Sequence, residues 1–294
     1  MGSYLRPVEL VDALAFLRQG PRLVVAGGTD VYPRNVGHPP TGDLLDITGV
    51  EELRGIHDDG THVRLGALVT WSDLMRARLP PWFDGLRRAA REVGGIQVQN
   101  AGTLAGNVCN ASPAADGMPN LLALDALVEI VSSDAVRRVP VADFVVGNRR
   151  TLLRPDELVT AILIPKPMAG ARSTFLKLGA RRYLVISIVM VAAVLEPASD
   201  GTVGRLRIAV GACSEVARRL IGLEQHLAGR PIGPALCDLV EPGHLAALAP
   251  IDDVRAGSAY RLDAALVLVR RCIERLVAGG AGASGGGEEE DEGR

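Results

Sequence analysis

A short apolar run, Arg22-Leu23-Val24-Val25-Ala26, leads without a break into Ala26-Gly27-Gly28-Thr29-Asp30. This junction constrains the fold of the chain more than any other feature. A run of this length bounded by a glycine pair reads as a buried strand. Glycines directly after such a strand allow a tight turn that residues carrying a Cβ resist. Successive N–H groups in the turn can point together at an anion, and the Thr29 hydroxyl adds a donor. On these residues alone, an ordinary strand-to-helix turn explains the pattern as well as a pyrophosphate-binding turn does.

A second stretch, Gln97 to Asp116, narrows the choice. It contains Gly102-Thr103-Leu104-Ala105-Gly106-Asn107 and then Ala111-Ser112-Pro113. It shows almost no helical or strand periodicity and is long for a plain connection; such segments are functional loops or disordered ones. Its Asn, Thr, Ser and Asp side chains supply donors and acceptors with few charges, which suits a polar grip. Taken together, the two turns point to a pyrophosphate held from both sides. A third glycine cluster, Gly280-Ala281-Gly282-Ala283-Ser284-Gly285, matches G-x-G-x-x-G, but no strand precedes it and an acidic run follows, so the Rossmann context is missing. There is neither a G-x-x-x-x-G-K-[ST] phosphate loop nor a G-x-S-x-G elbow.

Around these turns the pattern alternates. Pro7 to Gly20 reads as a helix with Leu10, Val11, Leu14 and Leu17 on one face, and Leu44-Leu45-Asp46-Ile47 as a strand. Helix between strands favours a small α/β lobe. Asp59-Gly60 predicts a hairpin turn, and Thr70 with Asp73 predicts an N-cap for a helix starting near Trp71. Trp82 to Val93 and Asn120 to Leu124 read as helices, and 126–131 and 158–164 as strands. The segment Pro165 to Ala171 reads as a linker. Strands at 173–178, 185–195 and 204–210, then helices at 214–228 and 262–277, predict an α+β C-terminal domain. From Gly279 a Gly/Ala/Ser stretch ends in Glu288-Glu289-Glu290-Asp291-Glu292 and reads as a solvated, disordered tail.

Composition excludes several classes. The 294 residues are 48% hydrophobic and 22% charged, enough for a real core. A net charge of -2 gives no reason to expect nucleic acid as a partner. Cys109, Cys213, Cys237 and Cys272 are scattered, and the five histidines lack ligand spacing, so neither a zinc site nor an iron–sulfur cluster is expected. Scattered cysteines, the absence of an apolar h-region at the N-terminus, and a longest apolar run (Leu184 to Leu195) too short to span a bilayer predict a cytoplasmic protein without a membrane span.

At its two glycine turns the chain resembles the FAD-binding medium subunits of the molybdenum hydroxylases, the carbon monoxide dehydrogenase and xanthine dehydrogenase/aldehyde oxidase type. Ala26 to Asp30 matches A-G-G-T-[DS], and Gln97 to Asp116 is close to Q-I-R-N-x-G-T-I-G-G-N-x-x-x-A-S-P-x-x-D. Pro119 to Ala126 fits P-x-L-L-A-L-D-A, and Phe144 to Pro165 fits F-x-x-G-x-R-x-T-x-L-x-P-x-E. Lys177 to Arg182, with Ile186 to Val189, fits the start of the C-terminal domain. The resemblance runs from about Pro7 to Val277.

It implies an α+β architecture: the vanillyl-alcohol-oxidase-type FAD-binding fold over residues 1–168, built as lobes of about 1–55 and 56–168, then a C-terminal α+β domain over 172–278 and the tail. FAD would lie between the lobes. The implied contacts are Val24, Val25, Ala26, Gly27, Gly28, Thr29, Asp30 and Val31 from the first segment. The second contributes Gly102, Thr103, Leu104, Ala105, Gly106 and Asn107, joined by Asp116, Val159 and Lys177. No catalytic acid, base or nucleophile is implied, because the flavin carries the chemistry. The implied role is electron transfer from the [2Fe–2S] clusters of a small subunit, fed by a molybdenum-cofactor large subunit, to FAD and an external acceptor, in a dimer of heterotrimers. A scaffold subunit with a weakened flavin site, or a stand-alone flavin oxidoreductase, are the alternatives.

Two departures carry expectations. Ala105 stands where the family has glycine, and if that position needs positive φ its methyl group costs about 1 kcal/mol. Gln99 stands where the family has arginine, which removes a positive charge near the turn. Among other residues, Asp125 reads as a cap or turn residue. Arg149 and Arg150 read either as ligand contacts or as a solvated pair. Tyr183 reads as a stacking or strand-edge residue, and Cys109 as a small buried hydrophobe.

Overall fold

The structure, a computed structural model, describes residues 2–38 and 41–281. The N-terminal lobe is a small parallel sheet. β1 (Tyr4–Leu5) and β2 (Leu23–Val25) flank β3 (Leu44–Asp46), with α1 (Leu10–Leu17) and the single turn α2 (Val31–Arg34) in the connections. Ala13, Leu14 and Leu17 bury one face of α1, as its spacing predicts.

The middle lobe holds a five-stranded antiparallel sheet, ordered β4 (Ile56–Asp58), β5 (His62–Gly66), β10 (Leu158–Pro165), β6 (Leu127–Val131) and β7 (Val136–Pro140). The Asp59-Gly60 turn joins β4 to β5, with Gly60 at φ 92°. β10 is central and buried along nearly its whole length, which explains its unbroken apolar sequence. α3 (Trp71–Arg76) opens on the expected capping box: Thr70 accepts from the Asp73 N–H at 3.1 Å, and Asp73 accepts from the Thr70 N–H at 2.9 Å. α4 (Asp84–Glu92) follows, and the single turn α8 (Val141–Phe144) and a small hairpin, β8 (Val145–Gly147) with β9 (Arg150–Thr151), lie before β10.

The stretch from Gln97 to Asp116, expected to lack secondary structure, is largely helical. α5 (Ile96–Ala101) and α6 (Leu104–Asn110) occupy it, and α7 (Gly117–Ala123) follows at once. Helices this short carry little periodicity. α6 is held instead by its ends and by packing: Thr103 caps it by accepting from the Gly106 N–H at 3.0 Å, Ala111 closes it at φ 46°, and Leu104, Ala105 and Val108 are buried.

The C-terminal sheet runs β11 (Arg172–Leu178), β12 (Val189–Pro197), β13 (Val203–Gly211) and β14 (Arg218–Arg219), all antiparallel. Both faces of β12 are covered. Met190, Ala192 and Val194 pack into the core shared with the lobes, while Val189, Val191, Ala193 and Leu195 face α10 (Ser258–Ala281), in a second cluster that also takes in α9 (Ile221–Leu227). The longest apolar run of the sequence is therefore mostly a doubly covered strand. That strand starts at Val189, later than expected, because its partner β11 ends at Leu178, opposite Val189. The expected helix over 214–228 shrinks to α9, since Arg218 and Arg219 pair with β13. α10 continues through Gly279 and Gly280 to Ala281, past the expected start of the tail. The remainder of the tail, including the acidic run, lies outside the described residues. No helix of the described residues is long and apolar enough to cross a membrane.

Asp125 ties the middle lobe to this sheet. It sits in a turn at φ 51° and meets Arg205 at 2.8 Å, Arg219 at 2.9 Å and Arg207 at 3.5 Å. Arg207 is buried and also pairs with buried Glu196. An Asp125→Asn substitution keeps a residue tolerant of the left-handed backbone and removes only the charge. It is expected to lower unfolding stability by about 2 kcal/mol, between exposed and fully buried ion pairs, as read by chemical denaturation.

Candidate functional site

The two glycine segments face each other. Gly27 lies so close to the end of α5 that a Cβ there would sit 1.8 Å from the Ala101 carbonyl oxygen. A Cβ on Gly102 would meet the Val98 carbonyl oxygen at 2.9 Å and the Thr29 hydroxyl at 3.2 Å. Gly28 has φ 68°, and the Tyr32 ring fills the space its Cβ would need. The Trp71 N–H donates to the Gly102 carbonyl at 3.2 Å and the Leu104 N–H to the Val69 carbonyl at 3.1 Å, fixing the second segment to α3.

Between the segments runs a cleft of about 320 Å3. Of the residues marked in the sequence, Val24, Ala26, Gly27, Gly28, Thr29, Asp30, Val31, Gly102, Thr103, Ala105, Gly106, Asn107 and Val159 line it. Val25 and Leu104 do not line it and pack into the core. A larger cavity of about 1440 Å3 opens elsewhere, between Pro80–Trp82, the 166–174 segment and the end of α10. It touches neither turn, so size alone does not mark the site.

The backbone N–H groups of Gly27, Gly28, Thr29, Asp30 and Val31, and that of Ala105, find no hydrogen-bond partner among the described residues. Unpaired donors around a cleft whose glycine backbones leave no room for side chains suit a group rich in acceptor oxygens. These residues therefore fit a pyrophosphate.

Ala105 carries no strain. It lies in the first turn of α6 and is not among the positive-φ residues. The expected cost of its methyl group falls away because the position is right-handed helix. Gln99 does not line the cleft; its side chain donates to the Arg91 carbonyl at 3.3 Å.

Asp116 and Lys177 meet each other behind the cleft and do not line it. The Lys177 Nζ lies 2.6 Å from Asp116 Oδ2, and the Ser187 hydroxyl donates to Asp116 Oδ1 at 2.6 Å. All three are well buried, and the trio joins the middle lobe to β11 and the segment before β12. Burial pushes the Asp116 carboxyl above its ordinary range, against the opposing pull of Lys177 and Ser187. The sequence left Arg34, Asn110 and Leu153 unmarked, yet they line the cleft. Asn110 stands inside the polar second stretch, and Arg34 one helical turn beyond Asp30, which were the available signals. Asn110 Nδ2 donates to Asp30 Oδ1 at 2.7 Å, and its Oδ1 accepts from both Arg34 and Arg149. Arg149 is thus a member of this cluster, with its side chain still 44% exposed. Cys109 also lines the cleft, with burial pushing its thiol up to about 12, so it stays neutral. Tyr183 is exposed.

Comparison with known proteins agrees with this geometry. The FAD binding domain in molybdopterin dehydrogenase matches residues 1–167, and the CO dehydrogenase flavoprotein C-terminal domain matches residues 174–276. The xanthine dehydrogenase FAD-binding subunit of Escherichia coli O157:H7 is 30% identical over 95% of this chain and 97% of its own. The carbon monoxide dehydrogenase medium chain of Afipia carboxidovorans is 30% identical over 94% and 96%. Among solved structures, CO dehydrogenase from Oligotropha carboxidovorans superposes with a TM-score of 0.85 at 27% identity, covering 95% of this chain and 98% of that one. Quinoline 2-oxidoreductase from Pseudomonas putida 86 does so with the same TM-score, identity and coverage.

Fold and cleft define an FAD-binding oxidoreductase flavoprotein of two α/β lobes and a C-terminal domain. The chain belongs to the family of FAD-binding medium subunits of the molybdenum hydroxylases.

The helical setting of Ala105 generates an expectation. Ala105→Gly is expected to lower stability by about 0.5 to 1 kcal/mol, the helix-propensity difference, and to leave FAD affinity unchanged. Thermal melting and a flavin-fluorescence titration check both halves.

Proposed function

We propose that FAD lies extended in the cleft between the lobes and that the chain serves as an electron-transfer subunit. The supporting observation is the convergence of Gly27–Val31 and Gly102–Asn107, with unpaired N–H donors, on one cleft. In this reading, Ala26 to Val31 and Thr103 to Asn107 grip the pyrophosphate, and Val159 closes the wall from β10. Val25 and Leu104 act from behind, by packing that holds their turns in place. The Lys177–Asp116–Ser187 trio ties the C-terminal domain to the middle lobe that carries the second turn.

Bound there, FAD supplies the redox chemistry by which electrons from the [2Fe–2S] clusters of a small subunit pass to an external acceptor. A molybdenum-cofactor large subunit completes the assembly, as a dimer of heterotrimers. Relatives named as medium chains of carbon monoxide dehydrogenase and as a xanthine dehydrogenase FAD-binding subunit support these partners. The domain division follows the same reading: residues 1–168 form the FAD-binding domain and 172–278 the C-terminal domain.

Affinity purification of the tagged chain from its native host tests the proposal. The expected product is yellow, releases FAD on denaturation, and brings a molybdenum subunit and an iron–sulfur subunit with it. A colourless complex of the same subunits would instead make the chain a scaffold. Oxidation of NAD(P)H by the isolated chain without partners would make it a stand-alone oxidoreductase.

A further inference from the structure

At the mouth of the cleft two cations share one neutral acceptor. Arg34, from α2, and Arg149, from the β8–β9 turn, both donate to Asn110 Oδ1. The one carboxylate beside them is Asp30, 3.8 Å from Arg149 and held by the Asn110 amide at 2.7 Å. Two guanidiniums against one half-exposed carboxylate leave positive charge over at this point. Arginines brought together cost energy through mutual repulsion, and burial and Arg34 both disfavour the charge on Arg149.

The backbone is also bent to hold them. Arg149 has φ 59° and Ala111 φ 46°, conformations that L residues avoid, and the two are stitched by the Arg149 N–H donating to the Ala111 carbonyl at 2.8 Å. Strain of this kind persists where surrounding structure enforces it, and it collects at ligand sites. Here it aims Arg149 at Asn110, the last residue of the helix whose other end carries Thr103.

Among the described residues Arg34 is the one cation that lines the cleft, and Arg149 reaches its edge through the lining residue Asn110. Asp30 and Arg34 are the only charged residues among those lining it, Lys177 is neutralised by Asp116 behind it, and Gln99 turns away. The glycine turns offer only partial charges from their N–H groups. We propose that Arg34 and Arg149, positioned by Asn110 and Asp30, form a cationic clamp on the pyrophosphate of FAD. This rests on the placement of FAD in the cleft and assigns it two side chains outside both glycine turns. Guanidinium groups suit the task because they pair in bidentate fashion with phosphate oxygens.

The test uses the full chain freed of flavin. FAD and riboflavin, which lacks phosphate, are titrated at low and high salt against wild type, Arg34→Gln, Arg149→Gln, the double variant, and the matching lysine variants. Melting curves establish that each is folded. Each glutamine change is expected to weaken FAD by about tenfold, and the double variant to lose the salt dependence of FAD binding. Riboflavin binding stays unchanged, and the lysine variants, which keep the charge, retain the salt dependence. Equal weakening of FAD and riboflavin, or unchanged FAD affinity and salt dependence in the double variant, would overturn the clamp. If riboflavin binds too weakly to measure, the salt dependence alone decides. Failure of wild type to bind FAD would instead overturn the placement on which the clamp rests.

Discussion

The site depends on one backbone-to-backbone approach. Gly27, just after β2, lies against the Ala101 carbonyl at the end of α5, with no space for even a methyl group. This contact joins a parallel three-stranded sheet to an antiparallel five-stranded one and creates a cleft between them. Everything that makes the cleft useful follows from it: the unpaired N–H groups of 27–31, the Thr103-capped helix opposite, and Val159 from the central strand β10. Glycine is required there because of proximity, whereas at Gly28 it is required by a φ of 68°. The same residue type thus meets two different demands in adjacent positions.

Charge is distributed to match. Where charges hold domains together, they are paired: Lys177 with Asp116, and Asp125 with Arg205, Arg207 and Arg219. Such pairs fix geometry more than they add stability, since desolvation offsets much of their attraction. At the cleft mouth the pairing is incomplete, with Arg34 and Arg149 sharing a neutral amide oxygen. The contrast separates structural charge from charge left available to an anionic ligand.

Much of this was legible in the sequence, for identifiable reasons. The junction of β2 with Gly27-Gly28, the Asp59-Gly60 hairpin and the Thr70/Asp73 capping box are local signals, and each appears in place. The polar stretch 97–116 does contribute residues to the cleft wall, but its helices are not legible in the sequence. Helices of six and seven residues carry too little periodicity, and caps and burial decide them. The same error produced the strain expected at Ala105, which dissolves once the residue is seen in a helix. Arg34, Asn110 and Arg149 come together from separate elements, 76 residues apart between Arg34 and Asn110 and 39 between Asn110 and Arg149. No spacing rule reaches across such distances. Asp116 and Lys177 were marked through family resemblance, while their mutual contact, 61 residues apart in sequence, is visible only in the fold.

The account stands most directly on Gly27. Titration of flavin-free Gly27→Ala with FAD, beside wild type and with circular dichroism to establish that the strands and helices persist, measures whether the cleft needs that close approach. The account expects a folded variant whose FAD affinity falls by at least about tenfold, because the added Cβ pushes the two turns apart. A folded variant that binds FAD as tightly as wild type would contradict it.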